Sequence, residues 1–544
     1  MPELTSTFYT HSNYIKNERD DYVFVKEKKV TVDSDTNEIT STKNNLKIIP
    51  SPKKRVWITK PQFRNHKGKR ETERLDHCDC YSIENRYLKE KLGELLDVKV
   101  NKYTKLKDIL NSPYVYGADL DMESLVRLAY ENNLKHNTIP FVKGFLDIEQ
   151  SVLGDDRINA ITLIIDNYIY CGYLNDFMKK KVNGIMVKAD ENDVIKLAHE
   201  YLGDYIDKYN FQLNVVGFDK EIDLIKWILD KAHFHEADFV GIWNMAFDIP
   251  TIIDRIEKNG CDPKDFFCDP SIAKELRRCE FIPDRNKKVA HVVEKWGWFD
   301  CTSHTQWIDL MTLFARIRKR QAKRPKYSLD AIAESEIKDK KLHVAQAGHY
   351  EMQTERFVEY VVYNIKDSLL IWLMENKNKD IDNLYKLSRS IRMHDFNKQG
   401  AMLNHSYQKF LLNKGYVLSC TGSNMNGPYD SLMRRVGGAV GNARNTREMG
   451  AFCTPQLPGY NTNIIPYVGD QDYKSFYPNT KKAGNISKET KLASIVEIEG
   501  HNFLDIENYC SAIAAPKENA VYIGNKYYGL PNYSEMDELV KEYL

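Results

Sequence analysis

The chain has 544 residues, of which 42% are hydrophobic and 28% are charged. This is the composition of an ordinary globular protein, and the length suits roughly three or four domains of about 150 residues. No run approaches the roughly 18 uninterrupted apolar residues of a membrane helix. Residues 1–14 also lack the basic, apolar and small-residue order of a secretory signal. We therefore expect a cytoplasmic protein that has no membrane partner.

The net charge of +1 gives no global signal for nucleic-acid binding. Phosphate contact needs only local basic patches, although most charge runs are solvated faces. The ten cysteines do not form a disulfide framework, and the cluster of His77, Cys78 and Cys80 lacks the second ligand pair of a zinc site. We therefore expect reduced, unliganded thiols. The local basic runs are residues 53–55, 67–70, 179–181 and 316–326.

Residues 1–140 combine short β-rich pieces, at 22–25, 29–32 and 56–59, with polar connections rich in lysine and asparagine. This texture predicts a β-rich N-terminal domain.

The sequence pattern changes at Gly144, where segments typical of strands and helices begin to alternate. Three strands, a helix and further alternation predict a mixed sheet with helices on its faces. The expected strands are 145–149, 160–165, 168–173, 212–216 and 239–243, and the expected helices are 193–209, 221–233 and 248–258.

Long amphipathic patterns follow over residues 328–397, and the Gly-, Asn- and Arg-rich residues 422–450 have the composition of a loop or junction. The chain is thus predicted to be a mixed α/β multidomain protein. We place its domains at residues 1–140, 141–395 and 396–544.

Two carboxylates, Asp147 and Glu149, lie two residues apart on a predicted strand. Alternate side chains of a strand point to one side, so the pair could share a divalent cation. Residues 33–35 and 119–121 have the same acid-x-acid pattern. The pair at 147 and 149 differs from them in its apolar lead-in and in the motifs that follow it.

Downstream, Asn244 and Asp248 lie at the end of a predicted strand, and Tyr363 and Asp367 are spaced i and i+4 on one face of a predicted helix. Together with Asp147 and Glu149 they provide four carboxylates. Such a set is suited to phosphodiester cleavage by two Mg²⁺ or Mn²⁺ ions, which prefer oxygen ligands.

These three segments resemble, in order, the Exo I, Exo II and Exo III motifs of family B DNA polymerases of the bacteriophage replicative type. Asp309 and residues 327–333 also resemble that family. The resemblance implies an RNase H-like 3′→5′ exonuclease domain and a cytoplasmic location in an infected bacterial host. By position, it implies Asp147, Glu149, Asp248 and Asp367 as metal ligands, Tyr363 as the residue that orients the nucleophilic water, and Asn244 and Phe247 as contacts to the frayed 3′ end.

Residues 472–479 resemble motif A of the polymerase palm in the same family, with Phe476 and Asn479 as departures. Residues 435–439 lie where the family has its Y-x-G-G junction, with Arg435 in place of the tyrosine. The resemblance implies that Asp472 binds the catalytic metals and that Tyr473, Ser475, Phe476 and Tyr477 form the nucleotide site, with Tyr477 under the sugar.

The family's motifs B and C are not found among the 72 residues (544 − 472) that follow Asp472. One aspartate cannot hold two metals against an incoming triphosphate. We therefore expect this chain alone to act only as an exonuclease, with a second polypeptide supplying the fingers, the rest of the palm and the thumb. A truncated gene predicts the same ending.

Three hypotheses follow from the sequence. The favoured one is a replicative polymerase subunit with proofreading, which would bind primer–template and single-stranded DNA, and dNTP once completed. The second is a stand-alone single-strand exonuclease, and the third is a non-catalytic DNA-binding scaffold. Because all four exonuclease carboxylates are in place, the sequence disfavours the scaffold. The basic run 316–326 lies within the exonuclease region, where a DNA contact is expected.

Overall fold

The computed structural model describes residues 3–388 apart from short gaps, residues 407–420, and three short strands beyond residue 495. The chain forms two compact units, Met1–Ser423 and Asn424–Leu544. In the second unit the described strands form one antiparallel sheet, in which Lys526–Gly529 lies between the other two, Val496–Ile498 and Ala520–Ile523. The gaps before residue 388 are 17–19, 34–35, 37, 67–69, 71, 131–138, 285–291, 293–294, 296, 319–323 and 343–347.

The N-terminal region is β-rich, as predicted, but its strands are much longer than the sequence pattern indicated. Lysines interrupt the apolar alternation around residues 26–29, so the pattern marks only two short pieces there. Lys26 and Lys28 are nevertheless buried within one continuous strand, because both reach the buried carboxylate of Asp238. The first antiparallel sheet consists of β1 (Glu3–Lys16), β2 (Asp21–Asp33) and β3 (Ile39–Pro50).

A second small sheet packs its apolar face, which includes Val56 and Ile58, against Leu88 and Leu92 of a short helix. A separate strand pair joins residues 72–74 to residues 416–418, so the chain returns to this region late in the first unit. The elements are β4 (Lys53–Thr59), β5 (Thr72–Arg74), β6 (Cys78–Glu84), α1 (Leu88–Leu96), α2 (Leu106–Ile109), β7 (Val115–Tyr116) and α3 (Met122–Tyr130).

A six-stranded mixed sheet follows, as the alternating patterns predicted. Its order is β13-β10-β9-β8-β14-β17, so β8 lies in the interior of the sheet. Strand β8 is antiparallel to β9 and parallel to β14, which is itself parallel to β17. The strands are β8 (Lys143–Gln150), β9 (Ile158–Ile165), β10 (Tyr168–Leu174), β13 (Gln212–Phe218), β14 (Phe239–Ile242) and β17 (Gln306–Asp309).

Two hairpins and nine helices accompany this sheet in the described residues. The hairpins are β11 (Lys179–Val182) with β12 (Ile185–Lys188), and β15 (Cys279–Ile282) with β16 (Trp298–Cys301). The helices are α4 (Glu191–Tyr209), α5 (Glu221–Phe234), α6 (Met245–Lys258), α7 (Lys264–Phe267), α8 (Leu310–Ile317), α9 (Leu329–Ile337), α10 (His349–Glu355), α11 (Phe357–Asn378) and α12 (Asp380–Ser388).

Helix α11 is the element that positions the site. It packs across β8 and β9, where Val361 and Ile365 join the same apolar core as Leu146 and Leu163. Full burial of each such side chain contributes about 1.5–3 kcal/mol, so the helix is held firmly over the strands. None of the helices in the described ranges has both the length and the apolar character required to cross a bilayer.

Candidate active site

Strand β8 and helix α11 together build a cluster of three carboxylates. Asp147 and Glu149 alternate with buried Ile148 on β8, so both project to the side that faces α11, which carries Asp367. One carboxylate oxygen from each residue lies within 4.8 Å of those from the other two. The sequence predicted all three residues as metal ligands, and the structure brings them together. We call Asp147, Glu149 and Asp367 the acidic cluster.

The acidic cluster is electrostatically unfavourable in the absence of added positive charge. Burial and, after it, the charge of Asp367 together raise the pKa of Glu149 to about 8. Burial together with the other carboxylates holds the pKa of Asp147 well above its ordinary value. Burial also raises the pKa of Asp367 to about 6, against the opposing effect of Lys341. A bound cation would relieve both the burial cost and the mutual repulsion.

The ligand atoms suit a hard divalent cation. All three residues offer carboxylate oxygens, the ligands that Mg²⁺ and Mn²⁺ prefer. Among the described atoms, Oδ1 of Asp367 is buried and accepts no hydrogen bond, so it retains lone pairs for a ligand. The acidic cluster can therefore hold a metal ion.

Side chains on α10 and α11 fix the orientation of the acidic cluster. The Tyr360 hydroxyl donates to Glu149 Oε2 at 2.6 Å, and Asn364 Nδ2 donates to Asp147 Oδ2 at 2.8 Å. Gln353 Nε2 in turn donates to the Tyr360 hydroxyl at 2.9 Å. The motifs of the sequence predicted a role for none of these three residues. The available signal was a stripe of tyrosine and polar residues at helical spacing, at 360, 363, 364 and 367.

Lys341 is a second functional residue that sequence reasoning missed. Its ammonium forms an ion pair with Asp367 and donates to the Tyr363 hydroxyl at 3.0 Å. Burial opposes its charge, but Asp367 and Tyr363 outweigh that effect and raise the pKa of Lys341. Burial and Asp367 raise the pKa of Tyr363 to about 12, so its hydroxyl keeps its proton at neutral pH. Lys341 lies in a segment without a local motif, 26 residues before Asp367.

Asp248, the fourth expected ligand, lies beside the acidic cluster but outside the group of mutually close oxygens. It is buried in the first turn of α6, directly after β14. Burial, followed by the charges of Asp309 and Glu149, raises its pKa to about 8. Asp309 ends the neighbouring parallel strand, and its Oδ1 accepts from the Thr312 backbone N–H at 2.8 Å. The carboxyl ends of two parallel strands thus add two acids to this region.

The turn between β14 and α6 is strained. Asn244 has φ 106° and ψ 55°, a left-handed conformation that is costly for a residue with a side chain, and its side chain does not cap the helix. Phe247, one turn later, is 49% exposed. Of the two residues expected to contact a 3′ end, Asn244 therefore lies on the strained turn and Phe247 in the first turn of α6, directly before Asp248.

The described arginines of the basic run 316–326 are engaged within the protein. Arg318 pairs with Asp380 at 2.8 Å, and Arg324 pairs with Glu336 while its guanidinium stacks on Phe314. Lys326 is exposed. Of the described cations in this run, Lys326 is therefore the best placed to meet a DNA strand.

The residues expected to form the nucleotide site, Asp472, Tyr473, Ser475, Phe476 and Tyr477, lie outside the described residues, as does the junction at 435–439. No protein-family model matches the chain, and no curated protein matches its sequence. The chemistry of the acidic cluster and its neighbours is therefore what points to a function.

Proposed function

We propose that this chain is the 3′→5′ exonuclease-bearing part of a family B DNA polymerase of the bacteriophage replicative type. In this proposal the six-stranded sheet and its helices form an RNase H-like exonuclease domain that hydrolyses DNA with two divalent metal ions. The observation that carries the proposal is the acidic cluster, in which Asp367 is buried and Asp147 and Glu149 are partly buried. Three carboxylates held together without matching positive charge destabilise the fold. A metal-dependent reaction would explain why the protein nevertheless holds them together.

Asp147, Glu149 and Asp367 would hold the metal ions, with Asp248 completing the set. Bound Mg²⁺ or Mn²⁺ supplies a nucleophilic water at neutral pH and stabilises the leaving 3′-oxygen of the phosphodiester.

The protein side chains would orient the reacting groups. The Tyr363 hydroxyl is protonated and held by Lys341. It can donate one hydrogen bond to the attacking water or accept one from it. Tyr360 and Asn364 hold the carboxylates of Glu149 and Asp147 in fixed orientations, so little reorganisation is needed when substrate arrives.

The frayed 3′ end would be held at the strained turn. The exposed ring of Phe247 offers a face on which an unpaired base can stack, and such contacts are worth about 1–3 kcal/mol per base. The Asn244 amide would bond to the terminal nucleotide. This arrangement favours a single strand over a duplex, because a paired terminal base cannot reach the ring.

The resemblance of residues 472–479 to motif A extends the proposal to the polymerase. Nucleotide addition would require Asp472 together with a separate chain that carries motifs B and C. The complete enzyme would bind primer–template and dNTP, whereas this chain alone would act only as an exonuclease. A stand-alone exonuclease would share the same site without needing that second chain.

The test is Mg²⁺-dependent degradation of a 5′-labelled single strand by the purified chain. The Asp147→Ala/Glu149→Ala variant removes two carboxylates from the acidic cluster. The control variant, Asp204→Ala/Asp207→Ala, removes two exposed carboxylates from α4. We expect stepwise shortening from the 3′ end by wild type and control, and none by the first variant. Absence of shortening by the wild-type chain would favour a non-catalytic DNA-binding scaffold.

A further inference from the structure

The hairpin formed by β11 and β12 is unusually exposed for a part of the first unit. A two-residue Asn183-Gly184 turn, both residues with positive φ, joins its strands, and every residue from 181 to 188 is exposed. Ile185 at its tip is 67% exposed. Two-stranded hairpins are only marginally stable by themselves, so an apolar tip held in solvent is a candidate contact surface.

The lysines of this hairpin repel one another in the protein without a ligand. The register places Lys179 directly opposite Lys188, and like charges in that position repel. Lys181 lies on the same face, two residues from Lys179. Lys180 pairs with Asp193 and Lys181 with Glu355. Within the described part of the chain, no carboxylate lies at ion-pair distance from Lys179 or Lys188, so their repulsion is left uncompensated.

The base of the hairpin is fixed to the same helix junction that supports the acidic cluster. The Lys181 ammonium meets Glu355 at 2.5 Å, and a backbone bridge joins Lys180 to Arg356. Tyr360, which donates to Glu149, follows Arg356 by four residues, or about 6 Å along the helix axis. The base of the hairpin therefore contacts the helix junction from which α11 leads to the acidic cluster.

We propose that this hairpin is a contact for the DNA strand whose 3′ end enters the acidic cluster, an inference that rests on the proposed function. Lys179 and Lys188 bind successive phosphates, which removes their mutual repulsion. The apolar tip at Ile185 and Met186 lies against unpaired bases. A polyanion would neutralise the charge of the opposed lysines. An apolar protein surface would cover the tip but leave the repulsion between Lys179 and Lys188 in place.

Binding of a fluorescent single-stranded oligonucleotide, measured by anisotropy in EDTA at several salt concentrations, tests this assignment without cleavage. Lys179→Ala/Lys188→Ala should raise Kd on the order of tenfold at low salt. Loss of two phosphate contacts should also reduce the slope of log K against log[salt] by about 1.4, at about 0.7 per contact. The control Lys226→Ala/Lys258→Ala removes two exposed lysines from α5 and α6 and should leave both quantities unchanged.

The tip variant Ile185→Ser/Met186→Ser should weaken binding without changing the salt slope. Unchanged Kd and slope in the lysine variant, while wild type binds and shortens the strand, would overturn the hairpin assignment alone. A wild-type chain that neither binds nor shortens the strand would instead overturn the proposed function. If the tip variant changes only the sedimentation of the protein, the hairpin contacts protein and the inference is wrong.

Discussion

Two groups of buried charge lie at opposite ends of strand β14, and they differ in how their charge is balanced. Asp238, just before the strand, is fully buried between Lys26 and Lys28, which are at most 2% exposed. Burial alone would raise the pKa of Asp238, but the two lysines outweigh it and lower that pKa. At the other end lies Asp248, beside the acidic cluster. Burial raises the pKa of these carboxylates, and Lys341 compensates only part of the charge.

The difference separates a structural charge from a functional one. Asp238 is satisfied within the chain, since it also accepts from the Val142 backbone N–H at 2.9 Å, and it ties the N-terminal sheet to the six-stranded sheet. The acidic cluster retains an unsatisfied oxygen and excess negative charge. Burial by itself therefore identifies neither group as a site. The missing counter-charge is the feature that marks the acidic cluster for a ligand.

The largest expected effect is on catalysis. Asp147→Asn keeps the size of the side chain but removes one charged metal ligand, and it should lower the rate of strand shortening on the order of 10³-fold, or about 4 kcal/mol. Single-turnover rates at saturating Mg²⁺ measure the effect. A variant that keeps more than a tenth of the wild-type rate would remove Asp147 from the proposed mechanism.

Asp238→Asn should lower the stability of the fold instead of acting directly on the rate of strand shortening. Removing one partner of a buried ion pair leaves Lys26 and Lys28 buried without an anion, and such losses cost about 3–5 kcal/mol of the free energy of unfolding. Urea titration followed by circular dichroism measures this cost. The metal-free Asp147→Asn protein is the matched comparison, and it should be at least as stable as wild type, because the substitution replaces a carboxyl group whose charged form burial and the neighbouring acids disfavour.

The pH dependence of stability provides a third test. The raised pKa values mean that the folded, metal-free protein holds more protons than the unfolded chain between about pH 4 and pH 8. The contribution of the acidic cluster and Asp248 to stability is therefore greatest at acid pH and is lost as pH rises toward 8. The difference in Tm between wild type and Asp147→Asn/Asp367→Asn, measured in EDTA from pH 5 to about 8, gives the part of this contribution that depends on Asp147 and Asp367.

With added cation, the contribution of the acidic cluster to stability should increase with pH instead of decreasing, because metal ligands must be deprotonated. Ca²⁺ at 100 times its Kd should stabilise wild type by about 2.7 kcal/mol at pH 8, and by less at pH 5.5. The Asp147→Asn/Asp367→Asn protein should gain no stability from Ca²⁺ at either pH. An equal gain in both proteins would place the cation elsewhere.

The smallest expected effect concerns the support of the cluster. Tyr360→Phe removes the hydrogen bond to Glu149, at about 1.4 kcal/mol or tenfold in kcat, with KM for the strand unchanged. The effect should vanish in a Glu149→Gln background, since the two residues act through one contact. A Tyr360→Phe effect on KM alone would instead assign the tyrosine to substrate binding.

Local patterns in the sequence predicted much of the site and of the sheet around it. The alternation of strand β8 predicted that Asp147 and Glu149 share a face, and helical spacing placed Tyr363 above Asp367. Lys341 could not be found in this way, because its position depends on how a loop without periodicity packs against α11.

The buried lysines show a second limit of sequence reasoning. Lys26 and Lys28 read as solvent-facing interruptions of a strand, and their partner lies more than 200 residues away. Only the tertiary packing of the two sheets makes their burial favourable. In the hairpin at 179–188, the lysine run is evident from the sequence, whereas the opposition of Lys179 and Lys188 follows only from the strand register around the Asn183-Gly184 turn.

The most direct test of the central claim is a Mn²⁺ titration of the purified chain at pH 8, followed by the electron paramagnetic resonance of free Mn²⁺. We predict that wild type and the Asp204→Ala/Asp207→Ala control bind Mn²⁺, and that a folded Asp147→Asn/Asp367→Asn protein loses this binding. Equal binding by wild type and the Asp147→Asn/Asp367→Asn protein, or none by wild type, would contradict the assignment of the acidic cluster as a metal site.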